Sequence, residues 1–599
     1  MGHPHDDDDP EKLRTTTTNG SEGVPQNGTV EITEASEEKF GTTKRGLKSR
    51  HAQMIALGGS IGTGLFVGTG RTLATGGPAF TLVGFIIMSF LLFAVVTAIT
   101  EVATYLPVHG ASMAYYGNRY ISRSMGFALG WLYWYALGIL VPYEITAAGL
   151  VIDYWENPVN IGVWMTVMLV VIVGLNFLPV AFYGETEFWF ACSKVIMMVG
   201  LLILSFILFW GGVPSQDSRL GFRYWQEPGA AKPVTLNGDI GLFISFWVTL
   251  VNCVFPFVFA PELIIVTAGE MQSPRRNLPK AAKRYFYRLI GFYVLGVLAI
   301  GVTCPSNDPR LTDGGAGAGS SPFVVAIANA GIEVLPSIVN AVILISAWSS
   351  GNSFLYMSVR SLYSLAIAGN APAIFKKCTK SGVPIYAVAV SSLFAALSYL
   401  NVSNQGGVVF DWFVNLTNTW GLVSWVCCMI IFLRFRMACR YHGVQSPWRN
   451  FCQPYGAWVA MVAFTILCLI NGFTVFFPQN WSASKFLTAY VGLPVFFAMY
   501  FGHRLWAWRD KWVRDPWDID MHTGLKEVED AELPPQPRKG FGKLWLIIEQ
   551  NRMNLHYKFF SLRPSSKLFR ARDVPSVCGA KRPSSLLKPS RLNTPANFR

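Results

Sequence analysis

Charge is scarce in this chain. Of its 599 residues only 14% are charged, while 52% are hydrophobic and the mean hydropathy is +0.35. Soluble domains carry about 25% charged residues, and the charge present here collects at the two ends. Residues 1–50 hold 7 Lys/Arg and 10 Asp/Glu, and residues 504–599 hold 19 and 10. The stretch between them has too few ionic groups to cover a surface that faces water. It also contains several uncharged apolar runs longer than the ~18 residues that cross a bilayer. A soluble enzyme, a disordered scaffold and a secreted disulfide module are therefore excluded. A polytopic membrane protein with two polar tails remains.

Metal chemistry is equally poorly provided for. There are eight histidines, and those near the apolar runs (His51, His109 and His503) stand at their ends. With no HExxH and no Cys/His pair inside the runs, an intramembrane metalloenzyme has no ligand set. His3, His5 and Asp6 to Asp9 read as a solvated acidic tail. Of the ten cysteines, Cys192, Cys253, Cys427, Cys428 and Cys468 lie in apolar runs, where a thiol behaves as a small hydrophobe. Cys378, Cys439, Cys452 and Cys578 fall in segments expected to be cytosolic, so no disulfide framework is implied. The net charge of +14 sits in loops beside the spans and in the C-terminal tail, which points to anionic lipid rather than nucleic acid. No cleavable signal peptide is expected, because some fifty polar residues precede the first apolar run.

Windows of about 19 residues give twelve spans. They are 52–74, 79–106, 127–152, 160–180, 188–211, 241–269, 286–304, 334–366, 384–400, 409–433, 456–477 and 486–503. If the N-terminus is cytosolic, the short inner loops hold fourteen Lys/Arg and the outer ones four, namely Arg219, Arg223, Lys232 and Arg310. The positive-inside rule then places both tails in the cytosol. The expected domains are a polar tail (1–50), a twelve-helix unit (51–503, with repeats at about 51–211 and 241–433), and a basic, largely disordered tail (504–599).

Two spans should break. The first contains Gly58, Gly59, Ser60, Ile61, Gly62, Thr63 and Gly64; four glycines in seven residues disfavour a continuous helix. Close helix packing through small residues is the alternative. The sixth carries Pro256 and Pro261, which deprive the carbonyls of Asn252 and Phe257 of their usual donors. Such breaks are tolerated in a bilayer only against protein or a cavity. Two interrupted helices, each opening a five-helix half, fit an inverted repeat around a central site. The broken first helix would offer N–H groups to an anion, and the sixth would offer carbonyls to a cation. A ligand with a carboxylate and an ammonium on one carbon satisfies both.

The stretch Gly58 to Gly70 (GGSIGTGLFVGTG) resembles the helix 1 signature of the fungal amino-acid permeases, in the amino acid, polyamine and organocation superfamily. Matching segments follow at Glu101 to Pro107 (EVATYLP), Glu144 with Ala147 and Ala148, Gly184 to Trp189 (GETEFW) with Lys194, and Thr267 to Lys280 (TAGEMQSPRRNLPK). The resemblance covers about residues 45–515. It implies an all-α LeuT-type fold of twelve transmembrane helices, a 5+5 inverted repeat with helices 1 and 6 broken, a plasma-membrane location, and proton-coupled amino-acid uptake. The expected partners are an amino-acid substrate, the bilayer and trafficking machinery at the tails, with the proton as coupling ion and no cofactor. The chain departs from the family at Phe259, Ala260, Pro261 and Glu262, where an aromatic residue or Gln followed by Gly-Thr-Glu is usual. Side-chain specificity therefore does not transfer.

The candidate residues follow. The backbone of Ser60, Ile61, Gly62, Thr63 and Gly64 would hold the substrate carboxylate. Glu144, Phe257, Val258, Phe259, Ala260 and Glu262 would form the amino-group and side-chain pocket, with Phe255, Phe257 and Phe259 as possible gates. Glu144 lies deep in a span, where a carboxylate is costly and so functional by default. Lys194 is the basic residue deep in helix 5; an ammonium kept from water can give up its proton, and proton-coupled relatives place a lysine here. Glu144 is a second proton carrier. Asn352 and Ser353 on helix 8 could complete the site or act as interhelical glue. Glu101, near the cytosolic end of helix 2, suits a structural or gating role. An amino-acid sensor of the same fold, or a carrier of choline or 4-aminobutyrate, is the competing reading.

Overall fold

The computed structural model describes residues 61–107, 112–155, 158–213, 218–268, 271, 273–312, 321–403, 406–530 and 532. The whole N-terminal tail, Gly58, Gly59 and Ser60, and the chain beyond 532 lie outside them. Among the described residues there is no β-strand. The first helical segment is a π-helical turn, Gly64–Gly68, which runs into α1 (Thr69–Tyr105). Inside α1, Gly77 leaves helical geometry with φ 76° and ψ 175°, immediately before Pro78. A positive φ costs glycine little, and Pro78 restarts the helix with a ring that needs no N–H partner. The first two expected spans thus adjoin at Gly77.

A short helix α2 (Met113–Tyr120) precedes α3 (Arg123–Ile152), α4 (Ile161–Asn176) and α5 (Val180–Phe209). Ser122 caps α3, its hydroxyl accepting from the amide of Met125 at 3.2 Å. Then come α6 (Gly238–Asn252), α7 (Ala260–Ala268), α8 (Pro274–Thr303), α9 (Pro322–Asn329) and α10 (Leu335–Ile367). The rest are α11 (Ile385–Ser392), α12 (Gly406–Tyr441), α13 (Tyr455–Ile470), α14 (Ala483–Tyr490), α15 (Gly492–Trp506) and α16 (Leu525–Asp530). The centre of the bundle is the long contact between α3 and α10, flanked by α1, α8 and α12.

Among the described residues nine helical runs are long and apolar enough to cross a membrane, or ten when α14 and α15, bent by 44°, are taken as one. The difference from twelve has two sources. The run Gly64–Tyr105 contains two expected spans, and α4, with 16 residues, is shorter than the ~18 residues that cross a bilayer. The outward faces are lipid-like. On α5, Trp189, Ile196, Val199, Ile203 and Phe206 are exposed at helical spacing, and on α13 Trp458, Val459, Val462, Ile466 and Leu469 are exposed. Apolar stripes of this length are not tolerated against water. Inward on α5, Glu187 and Lys194 are fully buried, which inverts the polarity of a soluble helix.

Residues 507–530, assigned from sequence to the C-terminal tail, are packed onto the helix ends. Ile519 and Met521 are buried, the Tyr105 hydroxyl donates to the Met521 carbonyl (2.9 Å), and Arg119 donates to the carbonyls of Asp520 (2.8 Å) and Thr523 (2.9 Å). The arginine retained by the α2 turn finds acceptors there, and so a segment with few apolar residues is ordered.

Candidate functional site

The start of the first helical segment packs on the middle of α3 and α10. The Thr63 hydroxyl donates to Glu144 Oε2 at 2.9 Å and lies 3.0 Å from the Tyr143 hydroxyl. Ser346 donates to the Ile61 carbonyl at 3.1 Å. Gly62 fits where a side chain would not: a Cβ there would stand 2.9 Å from both Glu144 Oε1 and Ser350 Oγ. At Gly64 a Cβ would come within 3.2 Å of Pro256 Cα, in the turn Phe255–Phe257 that follows α6. The glycines therefore bring the backbone against a carboxylate on one side and a proline on the other. Thr63, Glu144 and Ser350 are all buried.

Ser350 continues the chain of contacts into α5. Lys194 Nζ donates to Ser350 Oγ at 3.2 Å, and the adjacent Ser349 donates to Glu187 Oε1 at 2.5 Å. Ser353 and Asn352 face the same Glu187 carboxylate. The carboxylates of both Glu187 and Glu144 are close enough to Lys194 for their charge to act on its ammonium. One lysine and two glutamates thus share a dry interior, with consecutive serines of α10 between them. Asn352 also accepts from Asn176 (2.8 Å), and Ser353 accepts from Tyr183 (3.2 Å). These two candidates therefore sit with α4 and α5. Trp348 likewise packs towards Phe190 and the cluster Ala148, Met168 and Ala347.

The sixth expected span is interrupted where its prolines lie. After α6 the chain makes a 3-10 turn (Phe255–Phe257), Val258 is extended (φ −58°, ψ 130°), and Phe259 has φ 56°. A left-handed phenylalanine is costly and persists only where its surroundings fix it. Phe259 is fully buried with its ring edge-on to Tyr133 at 5.9 Å. The Pro256 carbonyl accepts from the Tyr293 hydroxyl at 2.8 Å. Phe257 stacks on Tyr293 at 4.5 Å, while Val258 lies where a Cβ on Gly421 would stand, 2.7 Å from Val258 Cγ1. Ala260 is buried at the start of α7. Among the three phenylalanines it is Phe255 that meets the Glu144 neighbourhood, edge-on to Tyr143 at 4.9 Å, and Phe410 covers Tyr143 at 4.8 Å. Next to Phe410, Asp411 pairs with Arg71 of α1.

Glu262 belongs to a separate cluster. Its Oε1 accepts from Ser424 at 2.9 Å, and Ser424 lies 2.7 Å from the Tyr133 hydroxyl, between α3 and α12. Glu101 is tied to Arg436, with Nε 2.6 Å from Oε1 and Nη2 2.8 Å from Oε2. It links the end of α1 to the end of α12. Sequence reading passed over Glu187, Tyr143, Ser349, Ser350 and Phe410. Glu187 was available from spacing, being seven residues, or two helical turns, before Lys194 on the same face.

A helical bundle with lipid-like faces, a first helical segment in contact at Gly64 with the turn at Pro256, and buried ionisable groups beside them point to a membrane transporter. Its fold is similar to that of the manganese transporter of Eremococcus coleocola, with a TM-score of 0.51 at 13% identity over 80% of this chain and 95% of that one. The likeness is one of fold. The amino acid permease family profile matches residues 51–514. The proline-specific permease of Emericella nidulans is 47% identical over 86% of this chain and 96% of its own length. The proline-specific permease of Saccharomyces cerevisiae is 43% identical (89% and 90%), and that yeast's dicarboxylic amino acid permease 42% (82% and 81%). The chain belongs to the amino acid permease family.

Proposed function

We propose that the protein is a secondary active transporter that carries α-amino acids, proline among them, into the cell with a proton by alternating access. The observation that carries the reading is the Glu144 carboxylate, buried and held by Thr63, directly against the glycine backbone at Gly62. The backbone N–H groups around Ser60 to Gly64 suit the substrate carboxylate. Its ammonium joins the Thr63 hydroxyl as a second donor to Glu144, aided by the Phe257 carbonyl that Pro261 leaves without its usual helical donor. Phe255, Tyr143 and Phe410 form the aromatic wall beside it. Proline enters because three relatives 43–47% identical to this chain bear that name.

Lys194 is the proposed proton carrier, with Glu144 and Glu187 as the carboxylates that balance it. The architecture that goes with this reading is twelve crossings in a LeuT-type 5+5 repeat with helices 1 and 6 discontinuous, at the plasma membrane, with both termini cytosolic. Uptake of labelled proline in a transport-deficient host tests the function. Accumulation should need a proton gradient and be blocked by unlabelled α-amino acids. Pyrrolidine, which is proline without its carboxylate, should not compete. Competition by pyrrolidine equal to that by proline would remove the carboxylate cradle from the argument. Absence of accumulation with protein at the surface would remove the transport reading.

A further inference from the structure

Away from the bundle centre, the end of α12 and the loop that follows it enclose a cavity of about 290 Å³ lined by Arg436, Arg440 and Arg449, with Cys439, Gln445 and Pro454. Its walls are fixed. Glu101 grips Arg436 through two contacts, Ser446 donates to the Glu101 carbonyl (3.3 Å), and Gln453 donates to the Ala94 carbonyl (2.8 Å) and Thr97 Oγ1 (2.9 Å). Glu101 neutralises one guanidinium. Among the described residues neither of the other two has a carboxylate in ion-pair range. Three arginines lining one space, two of them exposed and without an ion-pair partner among the described residues, are suited to an anion with several acceptor oxygens.

The aromatic residues that flank the lining residue Pro454 in sequence say which kind of anion. Phe451 is 90% exposed and Tyr455 79%, and Trp458 follows one turn later on the apolar outer face of α13. Bare rings beside arginines, where a helix with a lipid-like face begins, mark the headgroup level of a bilayer. We infer that this cavity binds the phosphate headgroup of an anionic phospholipid, the acyl chains lying along α13. A free phosphate offers the same oxygens but leaves the aromatic rings uncovered. The site is remote from Glu144 and Lys194, so it neither depends on nor alters the transport reading.

The test uses the full chain, purified in detergent, and native mass spectrometry with phosphatidylinositol, phosphatidylcholine and inorganic phosphate as probes. Arg440→Gln/Arg449→Gln is the variant, since both side chains are exposed and Arg436 stays with Glu101. The unaltered protein should retain phosphatidylinositol over phosphatidylcholine by about tenfold or more, the effect of one charge-assisted contact, and the variant should retain the two equally. A variant that elutes and melts like the unaltered protein but keeps the preference would overturn the inference. Equal retention of both lipids by the unaltered protein would do the same. Displacement of phosphatidylinositol by equimolar inorganic phosphate would assign the pocket to a soluble anion instead and refute the lipid.

Discussion

Thr63 gives the sharpest test of the substrate site, because one atom can be removed with little change of shape. Its hydroxyl donates to Glu144 Oε2 at 2.9 Å, in a place with no exposure to water. Thr63→Val replaces that hydroxyl by a methyl of the same size. A hydrogen bond to a charged group contributes about 1.5–3 kcal/mol, and a buried acceptor left without it carries its full desolvation cost. At about 1.4 kcal/mol per tenfold, loss of the orienting contact should lower the efficiency of proline uptake by about 10- to 100-fold. Thr63→Ser keeps the hydroxyl and should stay within about threefold, the scatter expected of lost methyl packing. The assay is initial uptake rate against proline concentration, normalised to protein at the cell surface. Thr63→Val and Thr63→Ser behaving alike, both near the unaltered rate, would refute the idea that this hydroxyl positions the carboxylate for the ligand.

Four further outcomes follow from the same geometry. Gly62→Ala places a methyl 2.9 Å from Glu144 Oε1 and Ser350 Oγ and should abolish uptake with protein still at the surface; uptake above half of normal would show that the backbone can yield. Lys194→Arg, whose guanidinium keeps its proton at any accessible pH, should lose concentrative uptake nearly as fully as Lys194→Ala between about pH 5 and 7.5; an unchanged pH profile in the arginine variant would shift the proton to another group. Lys194→Met should reduce folded protein by the ~3–5 kcal/mol cost of stranding a buried charge, and adding Glu187→Gln should restore much of it, which heating the detergent-solubilised variants will measure. Asp308, in the connection after α8, accepts from Arg310 (2.8 and 2.9 Å) and Asn329 (3.2 Å), and the Arg310 contacts hold its carboxyl below the usual range. A lowered folded value stabilises above the unfolded value of about 3.9 and is lost as pH falls through the folded one, so Asp308→Asn should melt earlier at neutral pH and match the unaltered protein in strong acid.

The apolar runs were legible because a bilayer demands them, and so was the turn between α6 and α7, because Pro256 and Pro261 act on their own backbone; the expected break at Gly58 to Gly64 begins outside the described residues. Glu144 and Lys194 announced themselves as ionisable groups inside apolar sequence. Partners were not legible. Whether Glu262 faces Glu144 or Ser424 depends on the direction the chain takes after the left-handed Phe259, and no local pattern encodes that turn. Asn352 and Ser353 carry the same signal as Ser349 and Ser350. Only the rotation of α10 about its axis separates the pair that meets Lys194 and Glu187 from the residues that also serve α4 and Tyr183. The fixing of 507–530 was hidden for a related reason. Its anchors are backbone carbonyls, which have no sequence signature, accepting from Tyr105 and Arg119 some four hundred residues earlier.

The serines of α10 give the proposed coupling a physical form. Glu144 receives Thr63 on one side and shares with Ser350 the small space left by Gly62; Ser350 in turn accepts from Lys194. A substrate ammonium arriving at Glu144 adds a positive charge to a region that already holds one. In a dry interior two like charges about 6 Å apart repel by roughly 3 kcal/mol even at an effective dielectric constant near 20. That repulsion must be relieved by ionised Glu187, by loss of the Lys194 proton, or by movement of α5 away from α10. The first keeps substrate and proton bound together. The second releases the proton as the substrate enters, which is exchange rather than symport. Under the proposed cotransport without movement of α5, Glu187 would have to be ionised when the substrate is bound, and Ser349, 2.5 Å from its carboxylate, is the donor that favours that state. On this argument the consecutive serines are not equivalent: Ser350 reports the occupancy of Glu144 to the lysine, and Ser349 decides whether the lysine can remain charged in reply.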